Sequence, residues 1–273
     1  MRSRGAVSFL LSLFSFFLLC GLAEAAVDIR VSNPWLSLMT RFVGGLQVRV
    51  HPLSGWNATG GVVLYSGSSK KFPAIALDEP EARGYRLGRS GVKTLFTKAP
   101  DGISPVPSAF FDPSALSFIG QRLLGAMSSI DPKNYVYYQR RLAEFQSRTD
   151  TTVGVGRQLL KGLVILDLTG ASGKWIVAAA ESPIRPPDRV MDLWKKGKSL
   201  ETLGIALNDA SRKNWVIAID PWTPSTVREK IRGLPRVADI PPPSHEKEML
   251  TILHDVYLTV WNASGKRLNL QKP

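Results

Sequence analysis

Residues 110–160 read FFDPSALSFIGQRLLGAMSSIDPKNYVYYQRRLAEFQSRTDTTVGVGRQLL, and the architecture of the chain turns on them. Asp112-Pro113 is a helix start, with a side-chain acceptor followed by a proline whose missing N–H is no loss in the first turn. Leu116, Ile119, Leu123, Leu124 and Met127 then recur at three to four residues, the period of one buried helical face. Asp131-Pro132 interrupts. Tyr135, Tyr138, Leu142 and Phe145 resume the period, and no Gly or Pro breaks residues 133–153. The stretch 112–160 is therefore expected to hold the longest helix and to act as a stiff connector.

On either side the pattern changes to alternating strand and helix. Before it, Val27–Val31 alternates as a strand, Asn33-Pro34 caps a helix through Val43, Gly44-Gly45 ends it, and Leu46–Val50 is a second strand. Gly61–Tyr65 and Val92–Phe96 read as short strands within a loop-rich segment. After it, Leu163–Leu168 and Trp215–Asp220 are buried-type strands. Residues 188–196, 199–211 and 246–261 look helical, Trp175–Ala180 is apolar without a clear period, and Thr223-Pro224 is read as the cap and first residue of a helix to Arg232. Arg236–Ile240 is a short strand stopped by the prolines at 241–243. Strand–helix alternation in both halves predicts an α/β protein of two lobes joined by a long rigid backbone helix. The divisions are a leader at 1–25, an N-terminal lobe at 26–111, a linking helical region at 112–160 and a C-terminal lobe at 161–273.

The leader is read from Arg2 and Arg4, the apolar run Ala6–Leu19 and the small residues Ala23 and Ala25, which together make a signal peptide cut after Ala25. The apolar run is shorter than the roughly 20 residues that a membrane-spanning helix needs. The bulky Leu19 before Cys20 argues against a lipid-modified cysteine. The chain is expected in the periplasm or outside the cell. Cys20 is the only cysteine, so the mature chain has no thiol or disulfide chemistry. The net charge is +13, but the basic residues are scattered and not interleaved with aromatic rings, so nucleic acid is not expected as a partner. An anionic surface or an acidic envelope partner suits an exported basic protein better.

The ordered set of motifs resembles the zinc/manganese-type periplasmic solute-binding proteins of ABC importers. Asn33-Pro34-Trp35-Leu36, Val43-Gly44-Gly45, Phe110-Phe111-Asp112-Pro113, Asp131-Pro132 with Tyr135, and Val216–Pro221 stand where that family has its first helix, its aromatic-Leu-Asp-Pro start of the backbone helix, its Asp-Pro turn and its late strand. The resemblance implies two lobes holding a divalent metal ion between them, a monomer, and an ABC permease or other envelope protein as partner. It also implies donor positions, and here the sequence departs. The loop after the second strand reads Pro52–Asn57 without histidine, with His51 just before it. Ser108 stands where the second histidine is expected, Leu166 or Asp167 at the third position, and Pro241 at the final carboxylate. The usual metal set is thus lost, which makes metal binding weak, altered or replaced by another ligand. Alternatively the scaffold serves as a non-transporting accessory protein.

The remaining cleft candidates are Ser108, Asp167, Asp220, Trp222 and His51, with Asp167 and Asp220 as the residual metal-ligand candidates. Both aspartates follow buried strands, where ligands of open α/β sheets bind but where an Asp also commonly caps the next turn. Trp56, Trp175 and Trp222 are read in loops or strand ends, and Trp35, Trp194, Trp215 and Trp261 as core. No Gly-x-Ser-x-Gly elbow, His-Glu-x-x-His pair or phosphate loop occurs, so binding rather than catalysis is expected.

Overall fold

The computed structural model describes residues 25–65, 71–88, 91–103 and 106–265. The predicted signal peptide lies almost wholly outside the described residues. Among those described, no helix is long and apolar enough to cross a membrane.

The N-terminal lobe is built on a four-stranded parallel sheet in the order β2-β1-β5-β6: β1 (Val27–Val31), β2 (Val48–Pro52), β5 (Ala74–Ala76) and β6 (Val92–Thr94). Helix α1 (Pro34–Gly44) connects β1 to β2. Asn33 starts it by accepting the N–H groups of Trp35 (2.9 Å) and Leu36 (3.3 Å), with Pro34 in the first turn. A short antiparallel hairpin, β3 (Ser54–Trp56) and β4 (Val62–Leu64), follows β2. Helix α2 (Glu79–Gly84) follows β5.

The linking region is two helices rather than one rod. Helix α3 (Pro113–Ile130) and helix α4 (Tyr135–Leu159) fold back on each other about Asp131-Pro132, with Gly120 packed against Leu142. The turn is held by the buried carboxylate of Asp131, which accepts from the Tyr138 hydroxyl (2.6 Å) and the Asn134 amide (2.7 Å). The tyrosine that closes the turn is thus Tyr138, seven positions after Asp131. Burial and the adjacent Asp131 carboxylate push the Tyr138 hydroxyl pKa upward. At 25 residues α4 is the longest described helix, about 37 Å at 1.5 Å per residue.

The C-terminal lobe repeats the plan with a parallel sheet in the order β10-β9-β7-β8: β7 (Val164–Asp167), β8 (Ser182–Ile184), β9 (Val216–Ile219) and β10 (Val237–Asp239). Its helices are α5 (Gly173–Ala179), α6 (Asp188–Lys195), α7 (Leu200–Arg212), α8 (Ser225–Ile231) and α9 (Met249–Ala263). The apolar stretch at 175–180 is thus a helix, with Trp175 fully buried and stacked on Tyr257 at 5.5 Å. The Trp175 indole donates to the Leu253 carbonyl (2.8 Å), so this tryptophan belongs to the core and not to a cleft wall. Thr223 does not cap α8; its hydroxyl accepts the Asp220 N–H (2.9 Å) and donates to the Leu168 carbonyl (3.0 Å).

One apolar core runs unbroken from the N-terminal sheet through α3 and α4 to one face of the C-terminal sheet, α5 and α9. A second lies between the other face of that sheet and α6–α8, where Trp194 is buried among Leu203, Leu207 and Val227. The continuity of the first core makes α4 a shared wall of both lobes.

Candidate functional site between the lobes

The carboxyl ends of β1, β2 and β9, and the segment entering α3, converge on aromatic side chains. Trp35, at the start of α1, stacks on Phe110 (5.7 Å between centroids) and meets Phe111 (5.0 Å) and Trp56 of β3 (5.2 Å) edge-on. Phe111 in turn meets Trp222 of the C-terminal lobe at 5.9 Å. Trp35, Phe110 and Phe111 are all buried. These rings come from the segments beside the expected donor positions and join the two lobes with apolar contact.

The β3–β4 hairpin adds a strap. Its tip, Gly60, has a left-handed φ of +76° and packs on Pro221 and Trp222 of the other lobe. Trp56 lies on the His245 ring at 4.6 Å, and His245 Nε2 meets the Ser54 carbonyl at 3.1 Å. Arg41 of α1 donates to the His245 carbonyl (3.0 Å). Burial, with Arg41 nearby, depresses the His245 pKa below its ordinary 6.5, only partly offset by the Ser54 carbonyl. A depressed imidazole favours unfolding when protons are added, since the unfolded chain binds the proton first. The strap therefore contributes stability that is full above pH 6.5 and declines as pH falls through the folded pKa. His245→Gln is expected to flatten the loss of melting temperature between pH 7 and pH 5 relative to the parent; an unchanged pH slope would contradict this.

Both candidate aspartates are fully buried and fully engaged. Asp220 accepts the N–H groups of Gly170 (2.8 Å), Ala171 (2.8 Å), Ser172 (2.9 Å) and Trp222 (3.1 Å), with the Ser172 hydroxyl at 3.0 Å. Asp167 accepts the N–H and hydroxyl of Thr169 (3.0 and 2.6 Å) and pairs with Arg185 Nη1 at 2.8 Å. These are the capping uses that the sequence left open beside ligand binding. His51 sits apart from these groups, on the edge strand β2, where its Nε2 is 2.6 Å from Asp28 and its ring stacks on Phe72. Ser108 lies beside Gly102 and lines a separate interlobe cleft of about 1210 Å³. That cleft was not legible in the sequence, because its walls come from residues 101–102 and 106–114, α4, the loop after β7, α5 and the loop after β8.

Asp112 crosses this boundary too. It caps α3 through the Ser114 and Ala115 N–H groups (3.0 and 3.4 Å) and pairs with Lys174 of α5 at 2.8 Å. Burial alone would raise its pKa, but Lys174 and the two N–H donors outweigh it and hold the carboxyl below the ordinary range.

No protein-family model matches the chain, and no curated protein matches it by sequence. Solved structures do match in fold. A crystal structure of ZnuA superposes with a TM-score of 0.61 at 16% identity, covering 88% of this chain and 99% of that one. The periplasmic zinc-binding protein TroA from Treponema pallidum gives 0.57 at 11% identity, over 88% and 99%. A Mn-bound periplasmic metal-binding protein from Candidatus Liberibacter asiaticus gives 0.55 at 13%, over 87% and 99%. The chain has the fold of the periplasmic zinc and manganese solute-binding proteins. The two lobes and the backbone helix are thus this helical-backbone architecture, as the motifs implied. The residues at the donor positions that the resemblance implies can be set against the chemistry of a zinc or manganese site. Ser108 and Pro241 offer neither imidazole nor carboxylate, Asp167 is committed to Arg185 and Thr169, and among the described residues no three His, Cys, Asp or Glu side chains are grouped to hold an ion.

Proposed function

We propose that the chain is an exported solute-binding subunit of a metal-type ABC importer whose ion position has been given over to aromatic packing, so that its ligand is no longer a bare zinc or manganese ion. The observation that carries this reading is the Trp35, Trp56, Phe110, Phe111 and Trp222 cluster on a two-lobed scaffold. On this reading the predicted signal peptide sends the mature chain to the periplasm, where its partner is a membrane permease. In the proposed role the lobes hold the ligand in the interlobe cleft and present it to that permease.

Titration calorimetry of metal-stripped protein with zinc checks the first half of the reading. The expected outcome is no stoichiometric site tighter than about 1 μM, about −8 kcal/mol. A nanomolar one-to-one isotherm would sink it. A second reading is favoured by the strap, which ties the lobes through Gly60, Trp56 and His245. In that reading the lobes do not open, and the protein is a non-transporting accessory that docks to an envelope partner. In-cell cross-linking separates the two: capture of an ABC permease supports the importer subunit, and capture of another envelope protein without a permease supports the accessory role.

A further inference from the structure

The interlobe cleft has a charge pattern unlike the rest of the molecule. The chain carries +13 overall, yet this cleft is lined by Asp101, Asp112, Asp150 and Asp188 against Arg157, Lys174 and Arg185. Asp112 and Lys174 neutralise each other. The side chains of Asp101, Asp150 and Asp188 make no ion pair or hydrogen bond among the described residues, and Arg157 has only a long contact to the Ala178 carbonyl (3.4 Å). A net anion gains little field in such a cleft. A ligand with both signs can satisfy both sets.

Arg185 is held at the wall by design of its surroundings. The buried Asp167 carboxylate and the Thr169 carbonyl (3.1 Å) both bind its Nη1, leaving the rest of the guanidinium fork uncommitted. Gly173 makes the room: a Cβ there would lie 2.5 Å from both Arg185 Nη1 and Asp167 Oδ2. A fixed guanidinium with open donors is a carboxylate receptor. Elsewhere in the lining, Asp150, Val153 and Arg157 share one face of α4 at the spacing of successive turns. Asp150 and Arg157 are two turns apart, about 10 Å along the axis. The termini of an extended tripeptide are separated by about the same distance, at roughly 3.3–3.6 Å per residue. The cleft volume of about 1210 Å³ also exceeds what a bare ion or single amino acid needs, pockets for drug-sized ligands measuring roughly 300–1,000 Å³.

We propose that this cleft binds a zwitterionic ligand of short-peptide size, with its ammonium on Asp150 and its carboxylate on Arg157 and Arg185. The inference rests on the solute-binding reading and names its ligand class. Three probes that differ only in terminal charge test it by calorimetry: trialanine, N-acetyl-trialanine and trialanine amide. Trialanine is expected to bind, and each blocked form to bind roughly ten-fold or more weakly, the equivalent of one charge-assisted hydrogen bond. Asp150→Asn should erase the preference for the free ammonium, and Arg157→Gln should reduce the preference for the free carboxylate to the part that Arg185 supplies. Both positions are exposed, so unchanged melting temperatures confirm that the variants are folded. No binding of trialanine, or equal binding of all three probes, overturns the proposal. If the permease is still captured by cross-linking in that case, the ligand class is wrong while the importer reading stands.

Discussion

Trp35→Ala is expected to lower the unfolding free energy by about 3–5 kcal/mol, the usual cost of truncating a buried aromatic side chain. Trp35 is 1% exposed and touches Phe110, Phe111 and Trp56, so alanine leaves a cavity that rigid neighbours cannot collapse into. For a chain of this size the melting temperature should fall by roughly 2–4 °C per kcal/mol, and urea denaturation should show the same loss as a lower midpoint. Trp35→Phe separates packing from polarity. The Trp35 Nε1 is buried without a hydrogen-bond partner among the described residues, so phenylalanine removes an unsatisfied donor while retaining a ring. It should therefore cost much less than alanine. Near-native stability for Trp35→Ala would show that the rings do not bind the lobes together.

The same residues show where sequence reading succeeds and where it stops. The strands at 164–167 and 216–219 and the caps at Asn33 and Asp112 were legible because their signals are local: continuous apolar runs, or an acceptor followed by proline. Helix α4 was legible for the same reason. The break at Asp131-Pro132 was visible, but its consequence was not. Whether two helices continue or fold back depends on Gly120 receiving Leu142, a pairing that periodicity does not encode. Trp175–Ala180 stayed ambiguous because an all-apolar run carries no period, and the environment of α9 and α4 made it helical. The sequence marks Trp35 as core, and it is core. Its partners in the hairpin and after Ser108 come from distant segments, so the aromatic bridge between lobes had no local signal. The strap was equally hidden, since Ser54 meets His245 across 191 positions. Ser108 was singled out through the family resemblance, but the cleft beside it is assembled from both lobes.

Asp220→Ala is the variant that distinguishes a framework carboxylate from a ligand. Removing the side chain leaves the buried N–H groups of Gly170, Ala171, Ser172 and Trp222 without their acceptor. Each buried orphan donor costs about 1–3 kcal/mol, so a loss of at least about 3 kcal/mol is expected, with the loop at 169–172 opening first. Asp220→Asn keeps one accepting oxygen but turns an NH2 group toward donors, and should fall between the parent and alanine. Denaturation measures these losses; zinc calorimetry on the same variants supplies the contrast. A carboxylate that served a metal ion would, when removed, release the affinity for that ion and relieve a buried charge, leaving the apo protein as stable or more so. A carboxylate that gathers four backbone donors does the reverse: stability falls and the zinc isotherm does not change. A stable Asp220→Ala protein with altered zinc binding would return Asp220 to the role of a metal donor.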